Sequence, residues 1–139
     1  MSDLLKKADL FAAEKHSGQV DKAGKPYIEH PRAVAAKLND ETEKIVALLH
    51  DTVEDTDATI EEICEEFGDE VAEAVGYLTH DKSVPYMDYI RSIWENRLAR
   101  SVKLADLSHN MDLSRLPVVT EKDRERIEKY RKAVEILGG

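Results

Sequence analysis

Apolar positions recur every three or four residues along almost the whole chain, the period of amphipathic helices. Leu4, Leu5, Ala8, Phe11 and Ala12 mark a first helix that ends near Gly18. Gly18, Gly24 and Pro26 make residues 18–27 a loop. His30-Pro31 opens a second helix, because proline is favoured at the first helical position; Val34, Ala35 and Leu38 form its inward face. Asp40 with Glu43 resembles a capping box for a third helix over residues 41–55. Thr59 with Glu62 opens a short helix that Gly68 closes. Asp69 is expected to cap the next, with Val71, Ala74, Val75 and Leu78 inward. Residues 80–85 turn at Pro85, and further helices are predicted over 86–97 and 98–114. Pro117 breaks the run, and Thr120 caps a last helix that carries Ile127, Tyr130, Val134 and Leu137 and stops at Gly138-Gly139. Val118-Val119 is too brief to demand a strand. The pattern predicts an all-α, compact, single-domain fold over residues 1–139.

Composition narrows the function classes. The net charge of −9 lacks the basic footprint that nucleic-acid binding needs, and it disfavours an anionic membrane surface. No apolar run approaches the roughly 20 residues of a membrane span. The first residues, Met1 to Lys7, show no apolar signal core, and the lone Cys64 excludes an internal disulfide. A reducing cytoplasm is the expected location. Cys64 is read as a small core residue.

One stretch breaks the helical logic. The apolar run Ile45-Val46-Ala47-Leu48-Leu49 leads directly into His50-Asp51-Thr52-Val53-Glu54-Asp55. Burying such groups unpaired costs several kcal/mol, so something should compensate them. A metal ion is the simplest candidate. On a continuous helix His50 lies over Glu54, and Asp51 over Glu54 and Asp55. His50 and Asp51, however, diverge by about 100° as helical neighbours, and two ligands are too few. Further ligands are offered by His30 and by Asp106, which is set into the apolar run Val102 to Met111. Two imidazoles and two carboxylates suit Mn²⁺, Fe²⁺ or Zn²⁺ better than Ca²⁺. Each residue alone has a plainer reading. His30 can be a cap, Asp106 a partner for Lys103 or an arginine, and Glu54-Asp55 a solvated helix end. Their joint occurrence favours the functional one. His16 and His80 are assigned structural or surface positions, and His109 is open between the two.

Several stretches, taken together, resemble the hydrolase domain of the RelA/SpoT alarmone enzymes, and among them the small single-domain hydrolases of the HD superfamily. These are His16-Ser17-Gly18-Gln19, Gly24 to Pro31, Leu48 to Thr56, Phe67-Gly68, and Val102 to Asp106 with Asn110. They occur in the family's order and span most of the chain. The resemblance implies an HD-domain fold and a Mn²⁺ ion, or another divalent transition metal, held by His30, His50, Asp51 and Asp106. It implies that Glu54 and Asp55 orient or activate the attacking water. It implies removal of the 3′-pyrophosphate of guanosine tetra- or pentaphosphate, giving GDP or GTP and pyrophosphate. Asn110 is expected near the ribose, Lys22 near the ligand, and Tyr130 on the nucleotide. The partner is then a small-molecule nucleotide. The chain ends soon after these motifs, so degradation without synthesis is expected.

The match departs from the family at one loop. Bifunctional members often carry Arg-Lys-Ser where this chain has Asp21-Lys22-Ala23, and Leu113 stands where they tend to have Thr. Asp cannot stack on a base as a guanidinium does. Another 3′-phosphorylated nucleotide, such as an adenosine alarmone, is the alternative substrate, and a non-catalytic alarmone-binding module is the alternative class.

Overall fold

A computed structural model describes residues 2–21, 23–116 and 118–138. The lysine at position 22 and the proline at position 117 therefore lie outside the described residues. Among the described residues the chain is helical throughout, with one isolated bridge, Val20 with Pro26, and no strand. The helices are α1 (Asp3–Lys15), α2 (Glu29–Ala36), α3 (Glu41–Leu49), α4 (Thr52–Asp55), α5 (Ile60–Phe67), α6 (Asp69–Leu78), α7 (Tyr86–Ile93), α8 (Arg97–Asn110) and α9 (Glu121–Leu137). A single 3-10 turn, Leu113–Arg115, follows α8. None of the helices is long and apolar enough to cross a membrane.

Helix α3 is the hub. All five residues from Ile45 to Leu49 are buried, so this helix is apolar on every side near its end. It packs against α1, α2, α6 and α8. Each fully buried aliphatic side chain contributes roughly 1.5–3 kcal/mol. The polar groups that follow Leu49 thus enter the middle of the protein, next to its best-packed element.

Local side chains set most helix starts. Asp40, Thr59 and Thr120 each accept a hydrogen bond from the backbone N–H three residues on, as expected. Thr120 and Asp123 complete a reciprocal capping box. Other boundaries differ from the sequence reading. Helix α2 begins at Glu29, so Pro31 sits inside its first turn, where the missing N–H still costs nothing. Gly68, at φ 95°, both closes α5 and precedes α6, a left-handed backbone that glycine adopts freely. Asp69 is not a cap; its carboxylate instead accepts the Cys64 thiol at 2.8 Å. Cys64 is half-buried against the core rather than inside it. The span 86–114 divides at Asn96, whose side chain caps α8 by accepting from the Ala99 N–H.

The largest difference lies in the predicted helix over 41–55. It breaks at His50-Asp51 into α3 and α4. Side chains satisfy the carbonyls that the break exposes: His50 Nδ1–H donates to the Ala47 carbonyl, and Thr52 Oγ1 donates to the Leu49 carbonyl at 2.8 Å. Such local bonds compete with the helical ladder and end it.

Candidate metal centre and nucleotide pocket

The break resolves the angular conflict between His50 and Asp51. His50 Nε2 and Asp51 Oδ2 lie 3.1 Å apart, on one side of the backbone. Helix α2 brings His30 to the same place, and α8 brings Asp106. Asp106 Oδ1 stands 2.8 Å from His30 Nε2 and 3.2 Å from His50 Nε2. Asp51 Oδ2 is 3.9 Å from His30 Nε2. One ligand atom from each of His30, His50 and Asp106 falls within 4.8 Å of the others. His30, His50 and Asp106 are 6%, 1% and 4% exposed.

This donor set fits a divalent ion. Ligands about 2.0–2.2 Å from an ion stand roughly 3–4 Å from one another, close to the 2.8–3.9 Å of these four separations; His30, His50 and Asp106 form the mutually close group, with Asp51 beside it. Two imidazole nitrogens and two carboxylate oxygens suit a transition metal. The surrounding bonds also prepare the ligands. His50 Nδ1–H is committed to the Ala47 carbonyl, which directs Nε2 inward. His30 Nδ1 pairs with His109 Nδ1 at 2.7 Å, which directs its Nε2 inward as well. Lys103 Nζ donates to Asp106 Oδ2 at 2.9 Å, and Asn110 Nδ2 donates to Asp106 Oδ1 at 3.2 Å. The Tyr27 hydroxyl donates to Asp51 Oδ2.

Charge follows geometry. Burial alone would lower the His50 pKa, but the Asp51 charge and the bond to Asp106 outweigh it and raise it well above 6.5. Burial alone would raise both carboxyls. The His50 charge instead holds Asp51 at about 2, and Lys103 with the two histidines holds Asp106 well below the usual range. Burial would lower the Lys103 pKa, and Asp106 raises it well above 10.5 instead. Both carboxylates stay ionised, as metal ligands must.

The cluster opens onto a cavity of about 530 Å³, within the usual range of small-ligand pockets. Tyr27, His30, Asp51 and Asp106 line its floor, and Lys103 and Arg126 supply cations. Val20, Asp21, Ala23, Leu113 and Leu116 form its outer part. Asn110 and Tyr130 line it, as expected. Glu54 and Asp55 do not. Both are exposed on α4; Glu54 Oε1 accepts the His80 backbone N–H at 2.8 Å. The Asp55 carboxyl is raised by burial and then by the charges of Asp51 and Glu54. A second cavity, about 360 Å³, is bordered by His80 and Tyr89 and is lined by none of His30, His50, Asp51 and Asp106.

Two groups have no place in the sequence-based expectations. Arg126 lines the cavity and pairs with Asp123. Asp123, Arg126 and Tyr130 lie three and four residues apart on α9, a one-face spacing that could have shown it. Tyr27 had no local signal for its bond to Asp51, 24 residues away. His16, expected at a structural or surface position, is 2% exposed, the structural of the two. Arg32 is held bidentately by Asp9 at 2.8 and 3.0 Å and does not line the cavity.

Known proteins match this arrangement. The HD domain model matches residues 8–134. The guanosine-3′,5′-bis(diphosphate) 3′-pyrophosphohydrolase MESH1 of Danio rerio is 46% identical over 119 residues, 76% of this chain and 66% of that protein. The GTP pyrophosphokinase of Myxococcus xanthus is 38% identical over 127 residues, 78% of this chain and 17% of that protein. The chain thus spans about two thirds of the first of these relatives and under a fifth of the second. A solved structure described as a metazoan ortholog of SpoT that hydrolyzes ppGpp superimposes with a TM-score of 0.81 at 33% identity, covering 100% of this chain and 88% of that one. The chain belongs to the HD domain family, in its RelA/SpoT-like branch.

Proposed function

We propose that residues 1–139 form one hydrolase domain that removes the 3′-pyrophosphate of guanosine tetra- or pentaphosphate, releasing pyrophosphate and GDP or GTP. The observation that carries this reading is the convergence of His30, His50 and Asp106, with Asp51 beside them, where His30, Asp51 and Asp106 line a cavity that Lys103 and Arg126 also line. The names of the MESH1 relative and of the solved SpoT ortholog support the substrate class.

His30, His50, Asp51 and Asp106 would hold one Mn²⁺. When bound, such an ion lowers the pKa of water and neutralises charge on phosphoryl oxygens. The protein's own groups do the rest. Glu54 is fixed through one oxygen by the His80 N–H, which steadies its carboxylate for orienting water. Asp55, with its raised pKa, is suited to take the water's proton. Lys103 and Arg126 offset the substrate's phosphate charge. Asn110 meets the ribose side of the nucleotide, and Tyr130 its outer part. Asp21 and Ala23 at the mouth favour a second reading, in which the same chemistry acts on a 3′-pyrophosphorylated adenine nucleotide.

The test is product analysis. The protein is incubated with Mn²⁺ and 3′-pyrophosphorylated guanine and adenine nucleotides, and released pyrophosphate and phosphate are quantified. Pyrophosphate release from the guanine substrate is expected. Tight nucleotide binding without turnover on any substrate would sink the enzyme reading.

A further inference from the structure

His16 has no part in the site as described, yet its bonding is unusual. It is 2% exposed at the end of α1, and its Nε2 is buried with no hydrogen-bond partner among the described residues. Its Nδ1 lies 2.9 Å from Gln19 Oε1. Gln19 Nε2 donates in turn to the Asp55 backbone carbonyl at 3.0 Å. A carbonyl can only accept, so the Gln19 amide must present its nitrogen to Asp55 and its oxygen to His16. His16 Nδ1 must therefore carry the proton. The same ring packs against Tyr27, with centroids 4.8 Å apart, and the Tyr27 hydroxyl bonds Asp51.

One imidazole thus has two lines of contact. Through Gln19 it reaches Asp55, and through Tyr27 it reaches Asp51. These residues begin and end the short turn at α4. That helix has four residues, held from within by the Asp55 N–H to the Asp51 carbonyl and the Thr56 N–H to the Thr52 carbonyl, each 3.0 Å. So short a helix has little stability of its own. Gln19 ties its far end to another part of the chain. A phenyl ring of similar size would fill the place without leaving a buried nitrogen unmet, and would be favoured on stability alone.

We propose that His16 is a positioning residue for hydrolysis: with Gln19 and Tyr27 it fixes the separation of Asp55 from Asp51. The proposal rests on the reading above, in which Asp55 handles water and Asp51 holds the ion. Neither His16 nor Gln19 lines the nucleotide cavity, so their loss should act on the chemical step rather than on substrate binding.

His16→Phe, His16→Asn and Gln19→Leu separate this from simple core packing. His16→Phe is expected to keep or raise the melting temperature. Its kcat should fall about 10- to 100-fold, the scale of a 1 Å misplacement, with KM within about twofold. His16→Asn, whose amide can replace the Nδ1–H donor, should recover much of that loss. An unchanged kcat in both His16→Phe and Gln19→Leu would overturn the proposal. So would losses in kcat that only track the fraction unfolded. Two readouts do not depend on turnover. Long-range ¹H–¹⁵N spectra should show neutral His16 as the Nδ1–H tautomer, and Gln19→Leu should speed amide exchange at Asp55 and Thr56. An Nε2–H tautomer, or unchanged exchange, would overturn it even if the wild-type protein turned over no nucleotide. Wild-type inactivity alone would fell the functional reading instead.

Discussion

His30, His50 and Asp106 come from three packed helices and are at most 6% exposed. Val20, Asp21, Ala23, Leu113 and Leu116 come from two connecting segments, and Val20 is 64% exposed. The first region is built by the same contacts that build the core. The second is built by loops that the core only supports. Changes to the first should therefore damage chemistry and fold together. Changes to the second should retune recognition and leave the fold alone.

The sharpest way to break that contrast is Asp106→Ala. It removes a proposed ligand and leaves two buried imidazoles and the half-buried Lys103 without their carboxylate. Turnover should fall by about 10³-fold or more, since a catalytic ion supplies several kcal/mol. Stability should fall by about 3–5 kcal/mol, the cost of breaking a buried ion pair; denaturant unfolding reads it. Glu54→Gln keeps the cluster intact. It should lower kcat about 10²- to 10⁴-fold with ion affinity unchanged in a calorimetric titration. Lys103→Met tests the layer behind the ligands. It should weaken ion binding about 10- to 100-fold, measured the same way.

With a chelator present, the cluster's charges have only one another, and stability should depend on pH. The His50 pKa is raised above 6.5, so its contribution is full below 6.5 and is lost as pH rises through the raised value. The Asp51 pKa is lowered from 3.8 to about 2, so its contribution is full above 3.8 and is lost as pH falls toward 2. The stripped protein should melt highest between roughly pH 4 and 6.5 in thermal scans. A midpoint that climbs steadily from pH 6 to 9 would be the opposite result. The mildest effect is expected in the nucleotide pocket. Tyr130→Phe should raise KM about 2- to 10-fold, the worth of one hydrogen bond, while kcat and melting temperature hold.

The two regions also differ in how much the sequence reveals. The caps at Asp40, Thr59 and Thr120 are legible because each bond is made three residues away. The break at His50-Asp51 is not, since the apolar period leads straight into it. It depends on side-chain bonds to Ala47 and Leu49 that compete with the helix. His50 and Asp106 are 56 residues apart, and their shared oddity, ionisable groups set into apolar runs, suggested one site together with the family resemblance. Tyr27 gave no such hint, and Arg126 gave only its one-face spacing with Tyr130. Each is an ordinary surface-type residue until the fold places it at the cavity. The role of Asp21 and Ala23 is the least legible, because a loop's shape follows from what it rests on.

The central claim is that His30, His50, Asp51 and Asp106 hold one catalytic ion. Calorimetric titration of chelator-stripped protein with Mn²⁺ tests it most directly, with wild type and Asp106→Ala side by side. One ion per chain is predicted for the wild type, with no measurable binding in the variant. Equal binding by both proteins would contradict the account.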